Sequence, residues 1–251
     1  MKTTGNTILI TGGGSGIGRG LAEAFHKRGN EVIITGRRQS VLDEVTQANP
    51  GMHGYAMDVN DPSSIEALVE TVTAKHPKLN VLFNNAGIMV RKELTPDTLD
   101  LAAAETIVTT NLLGPIRMVS ALLPHLRKQQ DAAIINVTSG LAFVPLANTA
   151  TYCATKAAVH SWTLSLRYML TAQGIEVIEL PPPGVQTDLT PGQSVNPAYM
   201  PLTDFISQVM ALFEQSPTPA EICVENVNGL RNAERENRFD ATMKSLNERM
   251  G

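Results

Sequence analysis

Short runs of branched apolar residues alternate with longer stretches of helical period through the first 180 residues. Thr7–Thr11 (TILIT) reads as a buried strand, and residues 17–28, beyond a glycine cluster, as a helix. A second strand is predicted over 31–35 (EVIIT) and a short helix over 41–48. Residues 54–58 and 80–84 read as the third and fourth strands, separated by a helix over 62–76 with Pro62 in its first turn. A long helical region covers 99–128 and is expected to break at Gly114-Pro115. A fifth strand over 133–138, a helix over 150–173 closed by Gly174, and a sixth strand over 175–180 complete the alternation.

Strands this apolar, each followed by a helix, predict an α/β fold whose parallel sheet is clothed by helices on both faces. No linker or repeat divides the 251 residues, so residues 1–251 are read as one domain. Six prolines between 181 and 201 mark a loose segment after the sixth strand. Such a position suits a loop over a ligand crevice, and the substrate loop is placed at about 185–215. Beyond it, about 218–250 reads as a charged, solvated helical tail.

Composition narrows the function classes. A net charge of −4 gives no reason for a basic face, so no nucleic-acid partner is expected. Cys153 and Cys223 are too few for a disulfide framework, and His26, His53, His76, His125 and His160 form no i,i+4 pair. No metal site is therefore predicted. The first residues lack a signal-like apolar stretch, and no run approaches the ~18 apolar residues of a membrane span. The expectation is a cytoplasmic protein without membrane attachment.

The chemistry begins between the first strand and its helix, at Thr11-Gly12-Gly13-Gly14-Ser15-Gly16-Ile17-Gly18. Glycines there let backbone approach a pyrophosphate, and the helix start offers free N–H groups to its charge. The pattern is T-G-x-x-x-G-x-G, distinct from G-x-G-x-x-G. The second strand runs into Gly36-Arg37-Arg38, where a carboxylate would bind the ribose hydroxyls of NAD. Two guanidiniums suit a 2′-phosphate instead, so NADP(H) is favoured. An acid arriving from elsewhere in the fold would leave NAD(H) possible.

Ser139 follows the fifth strand, and Tyr152 and Lys156 stand four residues apart on the next helix, hence on one face. A neighbouring ammonium lowers the pKa of a phenol, and a fixed hydroxyl holds a substrate oxygen. Singly, each residue type is ordinary core or surface; together at the sheet's C-terminal edge they form a constellation. Asn111 enters by a separate route: Pro115, four residues on, has no N–H to give its carbonyl. That orphan carbonyl is positioned to hold an ordered water.

With these motifs assembled, the chain resembles the short-chain dehydrogenase/reductase family, in its single-domain group of about 250 residues. The resemblance spans roughly 5–190 and rests on TGGGSGIG, Asp58-Val59, Asn84-Asn85-Ala86-Gly87, Asn111, Ser139 and Tyr152-x-x-x-Lys156. Within it, VIITGRR and VQTDLTPG are similar to DltE-like oxidoreductases. The resemblance implies a Rossmann-type doubly wound fold and hydride transfer between NADP(H) and a ketone, aldehyde or alcohol, with Tyr152 as general acid and base. It implies that Gly12, Gly14, Ser15, Gly16, Ile17 and Gly18 cradle the phosphates. Arg37 and Arg38 lie by the adenosine ribose, Asp58 and Val59 at the adenine, and Asn85, Ala86 and Gly87 along the cofactor. Lys156 binds the nicotinamide ribose, Val185 and Thr187 meet the carboxamide, and Asn111 relays protons through water to Lys156. The alternative is an NADP-sensing regulator without turnover, which has no use for the four catalytic residues.

Two departures stand out. No seventh strand is recognised after residue 215, which weakens the case for a tetramer and leaves a homodimer through the helices at 99–128 and 150–173. Pro181-Pro182-Pro183-Gly184 replaces a single Pro-Gly, loosening the register of Val185 and Thr187. The substrate is expected to be an apolar small molecule, facing Leu141, Phe143, Val144, Pro145, Leu146, Leu189, Pro191, Tyr199, Met200 and Phe205.

Overall fold

The computed structural model describes residues 1–91, 94–95 and 97–250, with the backbone alone for Met250. Six strands, β1 (Thr7–Thr11), β2 (Glu31–Gly36), β3 (His53–Ala56), β4 (Leu79–Asn84), β5 (Ala133–Val137) and β6 (Glu176–Leu180), pair in parallel in the order β3-β2-β1-β4-β5-β6. The order reverses between β1 and β4, and the crevice of a doubly wound sheet opens at that point, beyond the strands' C-terminal ends.

Alternation along β1 sorts the core into two layers. Ile8 and Ile10 face a layer made with α1 (Gly16–His26), α2 (Gln39–Ala48) and α7 (Leu202–Phe213), where Phe25, Phe83 and Phe213 meet at tilted ring angles. Leu9 faces the other layer, made with α3 (Pro62–Lys75), α5 (Gly114–Leu126) and the end of α6 (Ala150–Thr171). Burial on both faces is why β1, β2, β4 and β5 read as largely apolar runs, whereas the edge strand β3 (HGYA) is only partly buried.

The interruption expected at Gly114-Pro115 takes the form of a widened turn just before it. α4 (Leu101–Val108) continues into α5 through a wide turn, Thr109–Leu113, in which the Gly114 N–H reaches back to the Thr109 carbonyl. Pro115 cannot donate to Asn111, and the helix accommodates that loss by widening rather than stopping. This joined helix, Leu101–Leu126, is long and apolar enough to cross a membrane (mean hydropathy 1.3), which the sequence reading did not find. Its Met118, Leu122 and Leu126 are buried against the sheet, as in a core helix.

The tail also differs from expectation. Glu179 on β6 pairs with Glu221, its N–H bonding to the Ala220 carbonyl and its carbonyl accepting from Ile222. The missing strand is thus reduced to one parallel bridge. α8 (Glu225–Arg231) and α9 (Phe239–Met250) follow, and they are not a solvated appendage. Val227, Ala233 and Leu246 are buried, and Arg231 is buried in a two-pronged pair with Glu221 at 2.6 and 2.8 Å. Asn247 accepts from the Ala147 N–H and donates to the Pro145 carbonyl, docking α9 on the segment after Ser139.

Candidate active site

A cavity of about 630 Å³ runs along the C-terminal ends of the strands, from the glycine turn to the start of α6. Its first wall is backbone. Gly12 has φ +67°, a left-handed value, and a Cβ there would stand 2.9 Å from the Ala86 Cα. At Gly18 a Cβ would fall 2.3 Å from the Gly12 carbonyl oxygen and 2.4 Å from Asn85 Nδ2, so no side chain fits. These two glycines let the turn lie flat against Asn85 and Ala86 at the N-terminus of α1, an anion-binding end.

The turn is held by the first residue of its motif, Thr11, to which the sequence reading gave no role of its own. Thr11 Oγ1 donates to the Phe83 carbonyl and accepts from the N–H groups of Asn85 and Ala86 at 3.0 and 3.1 Å. Asn85 Nδ2 donates in return to the Thr11 and Gly12 carbonyls. Two strand ends across the switch point are thereby locked together.

Farther along, Arg37 and Arg38 are exposed on the cavity rim, and neither forms an ion pair among the described residues. Asp58 and Val59 line the same end, with Asp58 Oδ1 accepting from the Asn60 N–H. Asn60 itself is gripped by the Thr110 hydroxyl and, through its carbonyl, by Arg117.

At the other end Ser139, Tyr152 and Lys156 share the cavity wall. Ser139 caps a short 3-10 turn, its Oγ accepting from the Leu141 N–H. Tyr152 and Lys156 sit one turn apart on α6, and both are buried. Lys156 Nζ donates to the Val137 carbonyl at 2.8 Å and lies 5.6 Å from the Tyr152 ring centre. Burial pushes the Tyr152 phenol up to about 12, partly offset by a hydrogen bond with Ser139. Burial also pulls the Lys156 ammonium down to about 8. The lysine therefore does not lower the phenol in the chain by itself: desolvation sets the direction for both groups, and the lowering that partly offsets it at the phenol comes from Ser139.

Asn111 stands one layer behind the wall. Its side chain makes a two-way bond with Ile88, Oδ1 accepting from the N–H and Nδ2 donating to the carbonyl, at 2.9 and 2.8 Å. A Cβ on Gly87 would lie 3.3 Å from that Oδ1 and 3.7 Å from Lys156 Nζ, so the widened helix turn, Gly87 and Lys156 meet at one point. Every other residue predicted for the site lines the cavity directly: Gly12, Gly14, Ser15, Gly16, Ile17, Gly18, Arg37, Arg38, Asp58, Val59, Asn85, Ala86, Gly87, Ser139, Tyr152, Lys156, Val185 and Thr187. The register after the three prolines is fixed by Gln193, whose Nε2 donates to the Val185 carbonyl and to Thr187 Oγ1.

The expected apolar substrate wall is largely elsewhere. Val144 and Leu146 pack under the tail helices, and Met200 and Phe205 belong to the core beside α1. Of the ten residues named for it, Leu189 alone lines the cavity, joined there by Ile88, Met89 and Val90 after β4. Apolar side chains after Ser139 read as pocket in sequence because nothing local announces the tail that covers them.

The short chain dehydrogenase family model matches residues 6–197. An oxidoreductase of Bacillus subtilis named DltE, described as uncharacterized, is 41% identical over 98% of both chains. Among solved structures, a short chain dehydrogenase from Burkholderia cenocepacia in complex with NADP superposes with a TM-score of 0.82 at 25% identity, covering 98% of this chain and 99% of that one. A 3-ketoacyl-(acyl-carrier-protein) reductase from Brucella melitensis complexed with NADH gives 0.78 at 28% identity, covering 88% and 96%. By sequence, sheet order and cavity alike, this chain belongs to the short-chain dehydrogenase family.

Proposed function

We propose that the chain is an NADP(H)-dependent oxidoreductase that interconverts a small carbonyl compound and its alcohol, with Tyr152 transferring the proton. The observation that carries this reading is one cavity wall presenting the phenol of Tyr152, the hydroxyl of Ser139 and the ammonium of Lys156, reached from a glycine turn in which Gly12 and Gly18 leave no room for a side chain. A bound nicotinamide supplies or takes the hydride. Ser139 and Tyr152 hold the substrate oxygen, and the phenol, kept protonated by burial, gives its proton as that oxygen gains charge. Lys156 binds the nicotinamide ribose and, with Asn111 behind it, replenishes the proton. A sensor without turnover would have no need of this buried trio.

NADP relatives and NADH relatives both occur on this fold. NADP(H) is preferred here because Arg37 and Arg38 stand uncommitted on the rim where a carboxylate would select NAD(H). The substrate is a ketone or aldehyde with an apolar flank set against Ile88, Met89, Val90 and Leu189. The assembly is a homodimer through α4 and α6.

The test is turnover of NADPH and NADH against a panel of ketones and aldehydes, in the parent and two variants. Tyr152→Phe lowers kcat by about two to four orders of magnitude while NADPH affinity stays near the parent's. Arg37→Asp shifts preference from NADPH toward NADH. Normal kcat in the phenylalanine variant ends the proton-transfer assignment, and a parent that prefers NADH ends the cofactor assignment.

A further inference from the structure

At the opposite end of the sheet, three side chains from three elements converge. Glu31 opens β2, His53 opens the neighbouring β3, and His76 follows α3. One ligand atom from each lies within 4.8 Å of the other two. Glu31 Oε1 is 2.6 Å from His76 Nδ1 and 3.6 Å from His53 Nε2, and the two imidazole rings are 4.5 Å apart between centres. We infer that Glu31, His53 and His76 form a binding site for a divalent transition-metal ion, with zinc as the natural probe, that staples β2, β3 and the end of α3 together.

The donor set is the first argument. Two imidazoles and a carboxylate suit zinc and its neighbours in the first transition row, and three protein ligands leave one position for water. The second argument is spacing. Bonds of 2.0–2.2 Å in a tetrahedron separate ligand atoms by about 3.3 Å. The Glu31–His53 distance of 3.6 Å already meets this. The Glu31–His76 contact needs to open by under 1 Å, and Glu31 is free to move because its side chain is partly exposed. An ion there takes the place of the hydrogen bond between Glu31 and His76.

The third argument is the support behind the ligands. His76 is buried, and its other ring nitrogen, Nε2, is 3.0 Å from the Tyr55 hydroxyl. Glu31 Oε2 accepts from the Thr7 hydroxyl, leaving Oε1 turned inward. A metal-bound histidine commonly has its second nitrogen fixed in this way, which sets the tautomer and the ring plane. Lys75 lies over the Tyr55 ring at 5.5 Å. The cluster is remote from the cavity, so the ion acts on stability, independently of the proposed catalysis.

Isothermal titration of the purified full chain with zinc chloride alone, paired with thermal unfolding, decides the matter. One zinc binds per chain in the parent and raises Tm. His53→Gln, at a partly exposed position that tolerates the change, abolishes both effects, and Glu31→Gln does the same. Cobalt(II) in the parent gives an intense visible spectrum typical of four-coordination, absent in both variants. Zinc binding of equal strength in the parent and in His53→Gln, or none in the parent, overturns the site.

Discussion

The catalytic pair shows how burial sets the protonation of single residues. Lys156 has its ammonium pulled to about 8 by desolvation, whereas an unfolded chain holds that proton to about 10.5. Between those values the unfolded state binds more protons than the folded one, so stability rises with pH. Below about 8 the lysine is charged in the fold and its burial is a standing cost. Tyr152 acts in the opposite sense and in a higher window, since its phenol at about 12 makes stability fall only above about 10. The Cys223 thiol, which burial pushes up to about 11, lowers stability over part of the same range in either protein, so the lysine is read as a difference: between roughly pH 7.5 and 9.5 the parent is expected to gain about 2 kcal/mol in urea unfolding relative to Lys156→Met. Equal pH slopes for the two proteins count against a strained lysine. The variant also loses turnover, as stability and activity trade against each other at buried functional charges.

At the level of elements, β1, β2 and β4 were legible as apolar runs stopped by glycine or asparagine and β6 as one stopped by Pro181, and the glycine turn and Tyr152-x-x-x-Lys156 because their spacing is local. The chemistry that escaped is held by contacts between distant elements. Thr11 looks like one more β-branched strand residue, yet its hydroxyl joins β1 to the end of β4 by one bond and to the segment after it by two. Glu31, His53 and His76 share no linear spacing, and the sheet order alone brings them together. The tail was misread because a one-residue bridge at Glu221 carries no periodicity. Thr11→Val keeps the shape and removes the hydroxyl, leaving two N–H groups and a carbonyl without their partner. The expected cost is about 2 kcal/mol in urea unfolding, with weaker NADPH binding, and Thr11→Ser restores both. A valine variant as stable as the parent separates the turn's geometry from this hydroxyl.

The whole molecule leaves one surface poorly explained as a monomer. α4 packs beside α6, and their outer sides present Leu101 at 60% exposure, Tyr168 at 88% and Met169 at 66%, with Val108 and Leu164 also exposed. Leu164 and Tyr168 are one helical turn apart, so they form a stripe along α6. Apolar surface of this kind on a charged, acidic chain marks an association face, and a two-fold axis through paired helices closes it with one patch. A second interface at the β6 edge has less to offer. Glu221 already pairs with Glu179 there, and the Arg231–Glu221 pair and α8 pack around it. The chain is accordingly expected to sediment as a dimer, and Leu164→Asp with Tyr168→Asp to sediment as a monomer. Because Tyr152 and Lys156 lie on another face of the same helix, splitting such a dimer is expected to loosen α6 and to lower kcat before NADPH affinity. A monomeric parent at micromolar concentration removes the association face, and a tetramer that survives both aspartates moves the contact to β6.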